Sequence, residues 1–299
     1  NKDLKVSILG TNGFLSESIG KYCNDNKLSL FAYGRRSPVN HEFDSFTFID
    51  FNISNVDIYS LLDSDIIFYL VGAGIQSNHK DDKNLIYNLN TFTPIRITNE
   101  LSLKGYKGTF ISFGSYFEIG ENYIDHCYTE IEVLHSIKKT VNDYSVSKRI
   151  FSRYINSIDL PFTSLHFILP TIYGEKESRH RVIPYTIDAI KTGTNVAYTS
   201  GNQVRQYIYI DEVVDMIFRA YRCRLSSRIY NISGVETFTV KELVNLLFSL
   251  HGKKIDESKF GLTSRKDIGM YNLQLNGEKL QKEINYHPYI KVIDVYERY

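Results

Sequence analysis

What the chain lacks narrows its function before any motif is read. Its 35 Lys and Arg residues nearly balance 34 Asp and Glu, a formal net charge of +1 over 299 residues. That balance leaves no electrostatic footprint for nucleic acid or an anionic membrane surface. No apolar run approaches the length that spans a bilayer; Ile66–Val71 is far too short. An apolar strand starts as early as Lys5, so no signal peptide is expected ahead of it. Cysteine is scarce: Cys23, Cys127 and Cys223 are scattered without metal-ligand spacing and read as reduced thiols, which points to the cytoplasm. The 8 histidines form no H-x-x-x-H or similar cluster, so no metal is expected. Internal repeats and low-complexity segments are also missing.

What is present is a hydrophobic content of 42%, enough for one large or two smaller domains with real cores. Through the first half, apolar strands alternate with helical patterns. The strands are expected at Lys5–Leu9, Leu28–Tyr33, Phe46–Asp50, Asp65–Val71, Gly108–Phe113 and Phe162–Phe167. Helices are expected at Phe14–Asn24, Val56–Leu62, Lys83–Lys104 and Tyr144–Ile158, with Ser54 to Asp57 spaced as a capping box before the second. Such alternation, with near-continuously apolar strands, predicts an α/β fold: a doubly wound parallel sheet covered on both faces, with its ligand beyond the carboxyl ends of the strands. The second half changes character. Leu169-Pro170 stops a strand, Ile183–Lys191 reads as helix and Gln206–Ile210 as strand. Asp211 is expected to cap a helix Glu212–Arg222, and Thr239 another at Val240–Leu250. Residues 1–167 are therefore expected to bind a dinucleotide. Residues 168–299 should form mainly a smaller mixed α/β lobe that binds substrate, some of its segments returning to the first domain.

Strand Lys5–Leu9 leads directly into Gly10-Thr11-Asn12-Gly13-Phe14-Leu15-Ser16. A strand, a glycine turn and a helix start let a main chain approach a diphosphate. Gly10 permits the tight turn and Gly13, without a Cβ, the close approach. Ser16 stands where the usual fingerprint has a third glycine, and is still small enough for close helix–strand packing. Further on, Tyr144-Ser-Val-Ser-Lys148 puts a phenol and an ammonium on one helical face. A cation there favours phenolate and should lower the tyrosine from its usual pKa of ~10. Taken alone, this spacing equally describes an exposed helix pair. Ser115, however, ends the strand Gly108–Phe113 beside the expected cleft, where its hydroxyl can share a substrate oxygen with Tyr144.

In this order the motifs resemble the extended branch of the short-chain dehydrogenase/reductase superfamily, the nucleotide-sugar epimerases, dehydratases and reductases, over nearly the whole chain. Phe68-Tyr-Leu-Val-Gly-Ala73 is similar to the strand beside the nicotinamide ribose, and Asn90 falls where the family has an Asn in its next helix. Ser115 to Gly120 matches the active-site Ser/Thr segment. Leu169-Pro-Thr-Ile-Tyr-Gly174 resembles the N-x-Y-G turn with Thr171 for Asn, and Arg205-Gln-Tyr-Ile-Tyr-Ile-Asp211 the R-D-F-I-Y-V-D segment. The resemblance implies a Rossmann sheet and a catalytic set of Ser115, Tyr144 and Lys148. It implies a cofactor cradle of Gly10, Asn12, Gly13, Phe14, Leu15, Arg35, Arg36, Asp50, Phe51, Leu70, Val71, Gly72, Asn90 and Leu169, with Tyr144 and Lys148 shared. Ser115, Tyr116, Thr171, Arg181 and Arg205 would face the sugar nucleotide, Arg205 on its diphosphate.

The second strand ends in Phe31-Ala-Tyr-Gly-Arg35-Arg36, with no carboxylate for an adenosine ribose and two cations suited to a 2′-phosphate, which favours NADP over NAD. The family's dehydratases carry an acid–base carboxylate pair directly after the active-site Ser/Thr, where this chain has Tyr116 and Phe117. Its epimerase–reductases carry a Cys at the position of Phe117. The reading left is reduction of a nucleotide-linked 4-keto-6-deoxy sugar for surface-polysaccharide synthesis. The alternatives are an NAD-dependent C4 epimerase or an NADP-binding sensor or scaffold. Relatives pair the helices matching Lys83–Lys104 and Tyr144–Ile158 across a dimer axis, so a homodimer is expected, with Leu85, Leu89, Ile150 and Phe151 either in that interface or on the sheet.

Overall fold

The computed structural model describes residues 3–74, 81–226 and 229–299. Strands β1 (Lys5–Leu9), β2 (Ser29–Gly34), β3 (Ser45–Phe48), β4 (Ile66–Tyr69), β5 (Thr109–Ser115) and β6 (Thr163–Leu169) come first. They are followed by β7 (Thr171–Tyr173), β8 (Val204–Tyr209), β9 (Ile229–Asn231) and β10 (Glu236–Thr239). Seven of them form one sheet in the order β3-β2-β1-β4-β5-β6-β9, every pair parallel. The chain order reverses between β1 and β4, and a cleft opens at such a switch point, outside the carboxyl ends of the strands. The small sheet runs β10-β8-β7, with β10 antiparallel to β8.

Alternate side chains of each central strand serve opposite faces. Leu9, Ile67 and Phe110 point into one core with Ile97, Leu101, Phe151 and Ile155. Ile8, Phe68 and Ile111 point into the other with Ile19, Val213, Met216 and Ile217. The helices responsible include α1 (Phe14–Asp25), α2 (Lys83–Tyr87), α3 (Thr93–Leu103), α4 (Glu130–Leu134), α5 (Asp143–Ser157) and α7 (Ile210–Arg222), whereas α6 (Val182–Thr192) and α8 (Val240–Leu250) pack in the small lobe. Tyr22 of α1 stacks on Phe218 of α7 at 4.0 Å, so the second half of the chain supplies one of the layers covering the sheet. It also supplies β9. A third core, with Ile183, Ile187, Tyr207, Leu243 and Leu247, holds the small lobe together. Thr239 caps α8 in a full capping box with Glu242, as its sequence predicts.

Three local expectations are corrected. Asp57, not Ser54, makes the cap before the second helical pattern: its carboxylate accepts from Tyr59 N, and only one 3-10 turn, Ile58–Leu61, follows. Asp211 lies inside the first turn of α7, because β8 runs into the helix without a loop and leaves Tyr209 at the N-cap. The single helix expected at Lys83–Lys104 is interrupted by a π turn, Asn88–Phe92. Pro94 has no N–H to give to the preceding turn, and the wider turn sits just before it. Of the residues that either a sheet or a dimer could bury, Phe151 and Leu89 are in the core, Leu85 is half-buried against it and Ile150 is 42% exposed. Among the described residues no helix is long and apolar enough to cross a membrane.

Candidate active site

At the end of β1 the main chain turns with Gly10 at φ +107°; a Cβ there would lie 2.9 Å from the Leu70 carbonyl carbon and 3.0 Å from Val71 N. Only glycine allows β1 and the end of β4 to approach this closely. Ser16 replaces the third glycine by closing the turn on itself, its hydroxyl donating to Gly10 O at 2.8 Å. Gly13 is the N-cap of α1, no side chain caps the helix, and a Cβ at Gly13 would meet nothing within 4 Å. Unpaired helix N–H groups facing open space are what a diphosphate needs, so the residues fit a dinucleotide. Asn12, at φ +63°, spends its side chain on the next loop: it donates to Ser37 O at 3.0 Å and accepts from Val39 N at 3.1 Å. Thr11 donates to Arg36 O at 2.7 Å. That loop carries Arg35 and Arg36, both exposed.

Other members of the expected cradle act through packing. Asp50 holds its own turn by accepting from Asn52 N at 2.9 Å, and the Phe51 ring is buried in the core rather than offered to a ligand. Phe14 and Leu15 are half-buried at the start of α1, and Leu70, Val71 and Gly72 follow β4 toward the cleft. Asn90 is 2% exposed and fully occupied: it accepts from Ala73 N, and donates to Ala73 O at 2.8 Å and Ser147 Oγ at 3.0 Å. It therefore locks the loop after β4 to the helix that carries Tyr144.

Ser115 ends β5 opposite Leu169 and caps a 3-10 turn, Tyr116–Ile119, through a reciprocal box with Glu118. Its hydroxyl accepts from Phe117 N at 3.1 Å. Tyr144 and Lys148 share α5, with the ammonium 5.8 Å from the phenol ring centre and donating to Phe113 O at 3.1 Å. The expected lowering of the tyrosine is not found. Burial pushes Tyr144 above its usual range, Glu118 adds to the rise, and Ser115 and Arg181 act against it. Burial is also what brings Lys148 down to about 8, opposed by Glu118. The spacing argument counted one neighbouring charge and left out desolvation, which is larger here.

Beyond Tyr116, whose hydroxyl bonds Thr171, lies a cavity of about 190 Å³ lined by Thr171, Tyr173, Arg181, Gln203, Arg205 and Tyr207 among others. Buried Tyr173 Oη and Gln203 Oε1 have no partner among the described residues, so the cavity wall keeps unspent polar capacity. Arg181, half-exposed, pairs with buried Glu177 at 3.2 Å. Arg205, buried, pairs with Asp267, on which Arg265 also rests at 2.9 Å.

The family model for the NAD-dependent epimerase/dehydratase family matches residues 6–233. The chain belongs to this family. It thus falls in the extended short-chain dehydrogenase/reductase superfamily. Within the family, CDP-abequose synthase of Salmonella typhimurium is 22% identical over 279 residues, covering 88% of this chain and 86% of that protein. Among solved structures, MoeE5 in complex with UDP-glucuronic acid and NAD matches with a TM-score of 0.81 at 17% identity, over 98% of this chain and 96% of that one. UDP-glucose 4-epimerase of Thermotoga maritima with UDP-glucose matches with a TM-score of 0.80 at 17% identity, over 98% and 96%. These two show that the fold is shared. The fold brings Ser115, Tyr144 and Lys148 together around the carboxyl end of β5, and Thr171, Arg181 and Arg205 to one cavity. Four charged residues in these surroundings, Glu118, Glu177, Arg265 and Asp267, were not singled out from the sequence. Arg265 lies 60 residues past Arg205, a count taken from their numbers, with no motif to flag it. Glu118 gives no sign of burial in a string of letters.

Proposed function

We propose that this protein reduces a nucleotide-linked 4-keto-6-deoxy sugar with NADPH, in the synthesis of surface-polysaccharide sugars. The observation that carries this reading is the meeting of Ser115, Tyr144 and Lys148 beside an arginine-bearing cavity. At the two positions after Ser115 stand aromatic residues, one spent on Thr171. No carboxylate there is available for elimination. Glu118, the nearest, is buried and accepts the Ser115 amide at 2.7 Å.

When bound, a reduced nicotinamide supplies a hydride to the ketone carbon. Tyr144 gives its phenolic proton to the oxygen of that carbonyl, yielding the alcohol, and its raised pKa keeps that proton in place at neutral pH. Ser115 donates a hydrogen bond to the same oxygen, and the Lys148 ammonium offsets the phenolate left behind. Arg205, with Arg181, would take the substrate diphosphate, a charge-matched and bidentate contact. Arg35 and Arg36 would meet a 2′-phosphate, and no carboxylate at the end of β2 favours NAD. CDP-abequose synthase, matched over most of both chains, supports a nucleotide sugar of the deoxy class as substrate. Two copies pairing through α3 and α5 would cover Phe92 and Ile150, exposed by 59% and 42%. Light scattering tests this homodimer, and a strict monomer refutes it.

The experiment is NADPH consumption, followed by absorbance, against CDP-, dTDP-, GDP- and UDP-linked 4-keto-6-deoxy sugars, with NADH in parallel. Oxidation with one carrier and a preference for NADPH supports the reading. A C4 epimerase is the second reading, because it needs no residue beyond the same three. Tightly retained NAD after purification and turnover of a UDP-hexose without added cofactor would establish it instead. Firm NADPH binding without turnover of any sugar nucleotide would leave a sensor.

A further inference from the structure

The loop between β7 and α6 carries Arg181 to the cavity, yet most of its residues stand in solvent. Two buried residues anchor it. Gly174 packs against α7 and α1, where a Cβ would lie 2.7 Å from Ile210 Cγ2 and 3.1 Å from Phe14 Cζ. Glu177, 4% exposed, closes the turn: its N–H donates to Gly174 O at 3.0 Å, and its Oε2 accepts from Gly174 N at 2.9 Å. Its Oε1 lies 3.2 Å from Arg181 Nε. A further donor to this carboxylate comes from far along the chain, the Tyr299 hydroxyl, which bonds Glu177 Oε2. Tyr299 is itself held from several sides. Val292 and Val295 seat the preceding segment in the core of the small lobe, against which Tyr299 also packs. Lys191 of α6 donates to Tyr299 O at 2.6 Å. Arg298 donates to Tyr209 Oη at 2.9 Å, and that hydroxyl donates to Glu175 Oε2 at 2.8 Å. Two consecutive residues thus reach both glutamates of one loop, and neither lines the cavity.

We propose that Tyr299 is a positioning residue for substrate binding: by donating to Glu177 it limits that carboxylate's demand on Arg181 and leaves the guanidinium to the ligand. This rests on the reading of Arg181 as a diphosphate contact. A buried carboxylate has to be met by donors or a cation. With Gly174 and Tyr299 both on Oε2, Arg181 serves Oε1 and keeps 43% of its side chain exposed. Without the phenol, the unmet charge draws the guanidinium toward the loop, and a ligand anion has to compete for it.

The test is calorimetry of CDP, UDP, dTDP and GDP on wild type, Tyr299→Phe, Arg181→Met and the double variant. Phenylalanine keeps the ring and its packing and removes only the donor. For the nucleoside diphosphate that wild type binds, Tyr299→Phe should weaken affinity about fivefold, and KM for the nucleotide sugar should rise alike with kcat unchanged. In the Arg181→Met background the same substitution should change affinity by less than about 1.5-fold, because no guanidinium is left to draw away. An equal loss in both backgrounds, or no loss in wild type, overturns the proposal. The second measurement needs no ligand: exchange of the Arg181 Nε–H with water, read by nitrogen NMR and assigned with Arg181→Met. It should slow by about twofold or more in Tyr299→Phe, as the carboxylate holds that proton harder. Exchange that does not slow overturns the proposal. Should wild type bind none of the nucleoside diphosphates, the diphosphate reading of Arg181 falls, while the Nε–H exchange still decides whether Tyr299 governs the hold of Glu177 on Arg181.

Discussion

At the end of the cleft proposed for the cofactor, Arg35 and Arg36 stand in solvent just past β2, and among the described residues neither is ion-paired. At the end proposed for the substrate, Arg205 keeps only 7% of its side chain exposed and is paired to Asp267, which Arg265 also holds. The contrast follows from burial. An exposed guanidinium is stabilised by water and can wait for a ligand, at the cost that salt screens what it contributes. A buried one needs a carboxylate at all times. In the binding mode proposed for Arg205, a ligand diphosphate would have to displace or share Asp267, and its gain would be the difference between two strong contacts. The first arrangement favours recruitment and weak discrimination, the second selective binding.

Substitutions can break or sharpen that contrast. Tyr144→Phe, between the two ends, should lower kcat by about 10³ while both ligands still bind, checked by stopped-flow turnover and cofactor titration. Full activity in this variant would remove Tyr144 as proton donor. Arg205→Met should raise KM for the nucleotide sugar by about 30- to 100-fold and leave KM for NADPH alone, with Asp267 still held by Arg265. Arg35→Ala with Arg36→Ala should cut the preference for NADPH over NADH by about tenfold, an effect that shrinks as salt is added in steady-state assays. Asp267→Asn should have the smallest effect: affinity for the nucleotide sugar rises by about threefold in calorimetry, since Arg205 no longer has a charged competitor to leave. If affinity falls instead, Asp267 positions Arg205 rather than competing for it.

Legibility from sequence tracked the range of the interaction. The glycine turn, the Thr239 cap and the Tyr144–Lys148 spacing are all local, and the fold keeps them as read. Segments whose roles depend on distant partners were misread or missed. Ser54 and Asp57 both offer cap chemistry, and the fold starts its turn after Asp57. Tyr144 and Lys148 are neighbours in any helix, yet burial shifts both, and no spacing encodes that. β9 and β10 are 3 and 4 residues long, too short for a pattern, and exist because β6 and β8 offer edges to pair with.

The position of β9 also bears on how the chain is made. β6 acquires its outer neighbour only at Ile229–Asn231, and α1 its partner only at Ile210–Arg222. A ribosome that has released the first half has therefore exposed a parallel sheet ending in β6, a strand meant for the interior of the sheet, and one uncovered helix, the kind of surface on which nascent chains associate. The seventh strand can be added only after residue 231 has left the exit tunnel, so slow translation across the second half prolongs the period in which β6 stays unpaired on its outer side.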